Sequence, residues 1–440
     1  MSSESNKQDT ILEPLTIHQH TLSNGLRVAI NPMGNAPVVS IALYYDVGSR
    51  NEREGRTGFA HLFEHMMFQG SENVGKAEHF QLIMKAGGTM NGTTSSERTN
   101  YYATLPANQL PLGLWLEADR MRSLAVNQEN LDNQREAVKE EKRLRYDNQP
   151  YGQVFDMISS MVFKNFANAH STIGSMDDLD AATVDDLKEF FETYYAPSNA
   201  VLSISGCVDP DECLHLVERF FGDIPNGHVP PSIDVSESGS VAELKRVYKD
   251  PLAPLPAFLR GWKIPQRNSR EHLAVTLGGR ILYDGDSSRL YQKLVKGAES
   301  VVQLFGFTDE RRGPSAVYIG AIPKPGFTTG EVESVIDSEI ANLASEGPTE
   351  SELSKLRNQI LNDSVRARQS SLARAQLMAE SWLYDGDPRS FESETAELLS
   401  IGAEEIRVAV DKFLCKGEFA LLDVVPAVIQ TTAEVVADVQ

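Results

Sequence analysis

Two histidines four residues apart, inside an apolar run without proline, constrain this chain more than any other feature. The stretch reads Gly58-Phe-Ala-His61-Leu-Phe-Glu64-His65-Met-Met-Phe-Gln-Gly70. On a helix of 3.6 residues per turn, His61 and His65 share a face and can present two imidazole nitrogens to one cation. Glu64 lies beside His65 and one turn from His61, within reach of a water on that cation. The flanking Leu, Phe and Met imply burial, and buried imidazoles need partners. A pair of solvated helix histidines is the plainer reading, and it leaves those apolar flanks unexplained.

His-x-x-Glu-His is the pattern of an inverted zincin. A catalytic zinc takes three protein ligands and keeps one position for water. The helix expected over residues 127–148 offers Glu136, Glu140 and Glu141. At 100° per residue, Leu131, Ala137, Val138 and Leu144 define an apolar stripe with Glu141 at its centre and Gln134 below it. Glu136 and Glu140 point off the stripe. A carboxylate aimed into an apolar face needs a cationic partner, and one Zn2+ per chain on His61, His65 and Glu141 meets that need.

At 440 residues the chain exceeds what one core usually organises. The stretch 225–243, with three prolines and a run of serines, reads as a linker. It separates a metal-bearing half, 15–224, from a second half, 244–440. In the first half, strands are expected around Asn24-Gly25, over Val38 to Val47, in an exposed hairpin from Thr89 to Ala103, and at Asn199 to Gly206. Helices are expected at the motif, at Ala77 to Ala86, Pro106 to Arg122, Asn127 to Asn148 and, as one piece, Asp177 to Tyr195. The second half repeats this rhythm: strands at Ala257, Ser315 and Phe419, helices at His272 and from Thr349 to Leu383. It has no His-x-x-Glu-His. The expected class is α+β, two similar halves, each a mainly antiparallel sheet backed by helices.

A net charge of −21 repels phosphate backbones and anionic membranes, so nucleic acid and membrane surfaces are not expected partners. Three cysteines without a C-x-x-C pair fit a reducing compartment. The N-terminus shows neither a signal nor a transit pattern, and no apolar run is long enough to span a bilayer. The cytoplasm is the expected location.

With Thr57-Gly-Phe-Ala-His61, Gly87-Gly-x-x-Asn91, Glu136-x-Val138-x-Glu140-Glu141, Gly174 and Tyr194-Tyr-Ala-Pro-Ser-Asn199-Ala-Val, the chain resembles the insulinase/pitrilysin family of zinc peptidases. It is most similar to the branch of mitochondrial processing peptidase and its shorter bacterial relatives. The resemblance implies zinc on His61, His65 and Glu141, Glu64 as the base, peptide substrates, and two such chains closing a chamber. It also implies substrate lying as an added strand along Thr89 to Ser95, at Asn91, Gly92 and Thr93.

Two departures matter. Gln134 stands where relatives often place a further glutamate behind the zinc ligand. The family's substrate-gripping Arg and Tyr are missing from Leu294 to Val302, and Arg289 and Tyr291 just upstream are poor substitutes. A heterodimer is therefore expected, with a homologous partner supplying the Arg/Tyr pair; a homodimer is the second choice. Ten and fourteen positions beyond Glu141, where arginine-directed relatives carry acidic residues, this chain has Tyr151 and Phe155. An apolar side chain gains about 1.5–3 kcal/mol from burial there, whereas a guanidinium without a carboxylate loses several in desolvation. The residue after the cut is thus expected to be hydrophobic or aromatic. The reading from another class is a non-catalytic core subunit of a processing-peptidase-like assembly; such subunits usually lose the metal residues that this chain keeps.

Overall fold

The computed structural model describes residues 12–34 and 36–427. The polar start at residues 1–11, on which the expected location rests, lies outside the described residues. The first half opens with β1 (His18–Thr21), β2 (Arg27–Pro32) and β3 (Val38–Tyr45). Then come α1 (Phe59–Met66), α2 (Glu78–Lys85) and the hairpin of β4 (Thr89–Thr94) and β5 (Thr99–Pro106). Next follow α3 (Leu110–Ser123), α4 (Gln128–Lys142), α5 (Val154–Val162) and α6 (Phe166–Ala169). The half closes with α7 (Met176–Ala181), α8 (Val184–Tyr194), β6 (Ala200–Gly206) and α9 (Pro210–Phe221). Residues 225–243 hold neither helix nor strand.

The second half runs β7 (Lys245–Asp250), β8 (Ala257–Ile264), α10 (Arg270–Tyr283), β9 (Val301–Asp309) and β10 (Ser315–Pro323). It continues with α11 (Thr329–Glu346), α12 (Glu350–Ala367), α13 (Ser371–Asp385), α14 (Ser390–Ser400), α15 (Ala403–Val410) and β11 (Phe419–Pro426). Among the described residues, no helix is long and apolar enough to cross a membrane.

The sheet orders show the duplication. The first sheet is β1-β2-β6-β3-β5-β4 and the second β7-β11-β8-β10-β9. Without β1, the two orders coincide strand for strand. Each has one parallel pair in the same place, β2 with β6 and β7 with β11, and is otherwise antiparallel. The architecture is therefore α+β, two sheets each backed by helices.

The central strands of both sheets are buried on both faces. Val39, Ile41, Leu43 and Tyr45 of β3 enter a core roofed by the first half's own helices. Ala42 and Tyr44, on the other face, pack against Met378, Ala379 and Trp382 of α13, which belongs to the second half. The second sheet does the converse. Phe258 and Trp262 of β8 face their own half's helices, while Leu259, Tyr318 and Leu422 pack against Ile158, Met161 and Val162 of α5 from the first half. The halves exchange one helix each.

Three expectations change. Strand β3 is not half-buried: α13 covers the face that alternation would leave to water. In the hairpin only β4 lies at an edge, and β5 is largely buried between β3 and β4. The single helix expected over Asp177 to Tyr195 is two, because Thr183 starts a new one. Its hydroxyl accepts the Asp186 amide, while the Asp186 carboxylate accepts the Thr183 amide, a reciprocal cap that ends the preceding helix at Ala181.

Candidate metal centre

Helix α1 begins at Gly58, whose φ of +86° suits glycine. A Cβ there would lie 2.8 Å from the Ile173 carbonyl oxygen, and one on Gly174 would lie 2.6 Å from the Gly58 Cα. This backbone crossing sets where α1 starts. Phe59, Leu62, Phe63 and Met66 then bury one side of the helix, leaving His61, Glu64 and His65 on the side toward α4 and β4.

On α4 the buried line is Leu131, Gln134 and Val138, and the next position on that line is Glu141. Ala137 is exposed and Leu144 is 56% exposed, so the stripe is narrower than expected and Glu141 sits at its end. Glu136 and Glu140 point outward, paired with Lys139 and Arg143.

Glu141 Oε2 lies 3.2 Å from His65 Nε2 and 3.6 Å from His61 Nε2. One ligand atom from each of the three residues falls within 4.8 Å of the others. A tetrahedral zinc with ligands at about 2.0–2.2 Å separates them by roughly 3.3–3.6 Å, so this donor set fits zinc. Burial, and then the neighbouring His65, push His61 down to about 4, leaving a neutral imidazole able to ligate. The contact with His65 holds Glu141 below the usual carboxylate range.

Glu64 is placed from the other side. Thr94 on β4 donates to Glu64 Oε2 at 2.6 Å. Gly92 makes room for the carboxylate arm, since a Cβ there would lie 3.1 Å from Glu64 Cγ and from the Tyr101 ring. Burial raises the Glu64 carboxyl, opposed by the Thr94 donation. Thr94 and Arg145 escaped sequence reasoning. Arg145, on the π-helical turn after α4, holds Glu141 Oε1 at 2.8 Å. Four-residue spacing after a ligand carboxylate was the available signal for Arg145; Thr94 had none.

The other expected residues scatter. Asn91 is exposed on β4, the outer strand of its sheet, and accepts the Gly92 amide on its own side chain. Thr93 turns inward to Asn100 and Arg98. Gln134 is buried two turns below Glu141, and its amide donates to Asn133 rather than to a histidine. Tyr151 does not line the cavity that Phe155 lines: its amide donates to Asp250 and its hydroxyl to the Leu255 carbonyl, tying the halves together. Phe155 does line a cavity of about 260 Å³ at the seam between the halves, with Phe307, Tyr318 and Asp156. Arg289 is occupied by Glu352 and the Gly347 carbonyl.

The sequence matches the family model described as Insulinase (Peptidase family M16) over residues 27–175, and that described as Peptidase M16 inactive domain over residues 181–360. Zinc protease PqqE of Helicobacter pylori is 28% identical over 398 residues, covering 89% of each chain. The mitochondrial-processing peptidase subunit beta of Saccharomyces cerevisiae is 26% identical over 263 residues, 59% of this chain and 53% of that one. Among solved structures, a protease from Helicobacter pylori matches with a TM-score of 0.89 at 25% identity, covering 94% of this chain and 100% of that one. A peptidase M16 inactive domain from Pseudomonas fluorescens, at 0.83 and 15% identity over 95% and 99%, shares the fold alone.

Proposed function

Because this chain belongs to the insulinase family, peptidase family M16, we propose that it is a zinc-dependent endopeptidase acting on peptides in a chamber closed by a second chain. The observation that carries this reading is the convergence of His61, His65 and Glu141 beside a Glu64 held by Thr94. Zinc, when bound, supplies the charge that acidifies a water and polarises a peptide carbonyl. His61 and His65 would hold it from α1 and Glu141 from α4, with Arg145 fixing the other Glu141 oxygen. Glu64 takes the proton of the attacking water and returns it to the leaving amine. The outer edge of β4 runs past Glu64 and can receive an extended peptide as an added strand at Asn91.

The test is zinc content per chain measured together with peptide cleavage, before and after chelation. A chain that binds no zinc, or that cleaves equally well without it, ends this reading.

The assembly is a heterodimer. Leu294 to Val302 holds neither Arg nor Tyr, and Arg289 is committed to Glu352, so a homologous partner supplies the substrate grip. Full activity of the isolated chain, unchanged by any partner, would contradict this.

Specificity after the cut is hydrophobic or aromatic. Phe155 with Phe307 offers apolar wall, and burial raises the Asp156 carboxyl toward its neutral form. Cleavage-site mapping in a mixed peptide library by mass spectrometry checks this, and enrichment of arginine or lysine after the scissile bond refutes it.

A further inference from the structure

The first turn of α1 has no capping side chain of its own, since glycine occupies its N-cap. Its amides go to a residue six positions upstream. Gly58 N–H donates to Glu52 Oε2 and Ala60 N–H to Glu52 Oε1, both at 2.8 Å. The Glu52 side chain is fully buried, and a buried carboxylate needs a further partner. That partner is His170, whose Nε2 lies 3.0 Å from Glu52 Oε2. The other ring nitrogen, Nδ1, lies 2.6 Å from the Phe166 carbonyl, and the ring stacks on Phe166 at 4.2 Å. A carbonyl only accepts, so Nδ1 carries a proton, and the contact between Nε2 and Glu52 is bridged by a second proton held by the pair.

The segment that carries His170 is in turn gripped by the other half. Arg311, 7% exposed on the β9–β10 turn, donates from Nη1 to the Asn168 carbonyl at 2.7 Å. Its guanidinium is fixed by Asp309 and lies over the Phe163 ring at 4.2 Å. Contacts therefore run without a gap from the metal-free half, through Asn168 and His170, to Glu52 and the residue before His61.

We propose that Glu52 and His170 are positioning residues for the metal helix, and that Arg311 lets the metal-free half hold the geometry of the metal-bearing one. The inference rests on the zinc reading and adds to it a role for two loops and for the second half. The pair touches neither substrate nor metal. It acts by fixing the first turn of α1, on which His61 sits at the third position.

The experiment compares wild type with Glu52→Gln, His170→Phe, Arg311→Gln and the distant control Arg289→Gln. Zinc affinity is measured by competition with a chromophoric chelator, and hydrogen exchange of the α1 amides is followed in metal-free protein. Outer partners of metal ligands typically contribute about 10–100-fold in affinity. E52Q and H170F should weaken zinc by about 10-fold or more and speed exchange in α1. R311Q should move both in the same direction by less, and R289Q should lower thermal stability and leave both unchanged. Should E52Q fail to fold, R311Q decides, since it leaves the Glu52–His170 pair in place. Equal zinc affinity and α1 exchange in wild type, H170F and R311Q overturn the proposal. A wild-type chain without zinc overturns the peptidase reading instead, and the exchange data still decide whether the pair orders α1.

Discussion

Equivalent connections in the two halves carry very different helices. Between β3 and β4 the chain makes α1, 8 residues long, with His61, Glu64 and His65 on one side. Between β8 and β9 it makes α10, 14 residues long, capped by the hydroxyl of its own Ser269. Helix α10 buries Leu273, Val275, Leu277 and Leu282, and its one histidine faces the Pro265 carbonyl. Taken alone, α1 is the poorer helix: too short to persist without tertiary contacts, uncapped locally, and loaded with half-buried titratable groups. The comparison teaches that the copy with the candidate metal site gives up local stability for chemistry and recovers it from its surroundings. The second copy keeps a locally sound helix and supplies part of those surroundings.

If that division holds, changes on α1 and α4 should remove activity at little cost in stability, and changes in the second half away from Arg311 should do the reverse. The largest effect expected is from Glu64→Gln, lowering kcat by about 10²–10⁴-fold with zinc affinity retained; turnover and bound zinc on the same sample check it. Glu141→Gln should weaken zinc by more than about 100-fold, while Glu140→Gln should not; chelator competition separates them. Next comes Gly92→Ala, whose Cβ would crowd Glu64 Cγ and the Tyr101 ring at 3.1 Å. It should lower kcat by about 10-fold and leave zinc alone. Arg289→Gln, in the second half, should cost about 1 kcal/mol of stability in denaturant unfolding and leave kcat unchanged.

The smallest effect is one of pH. Burial raises the folded-state pKa of Asp156, so its neutral form favours the fold. That contribution is full below the ordinary Asp value of about 3.9 and is lost as pH rises through the folded value. Asp156→Asn should therefore raise thermal stability at pH 7, with the gain closing as pH falls toward that value. An equal gain at both ends would show that its charge is not involved.

The local signals in the sequence were strong where one helix or strand suffices. Histidines at i and i+4 and an inward glutamate on α4 placed the candidate ligands, because helical periodicity is a property of neighbours in sequence. Parts that depend on distant packing were not legible. Val154, Ile158, Met161 and Val162 carry a helical period, yet nothing in them says that α5 faces the other half's sheet. The same holds for β3, whose second face looks solvated until α13 is in place. Tyr151 shows the limit of transferring position by count: its φ of 62° and its bonds to Asp250 and Leu255 keep it off the wall of the cavity that Phe155 lines. Glu52 and His170 sit in loops without periodicity, and only the fold reveals that they meet.

The exchange of α5 and α13 also bears on how the chain matures during synthesis. When residue 224 leaves the ribosome, the first sheet has its own roof but not the helix for Ala42, Tyr44 and Val201. That helix ends at Asp385, roughly 160 residues later, about 8–30 s at ~5–20 residues per second. Meanwhile α5 waits with an apolar face and no sheet to cover. The nascent first half thus stays sticky until the second is nearly complete, and cutting the chain at its linker gives two fragments that each lack a cover, not two free-standing domains.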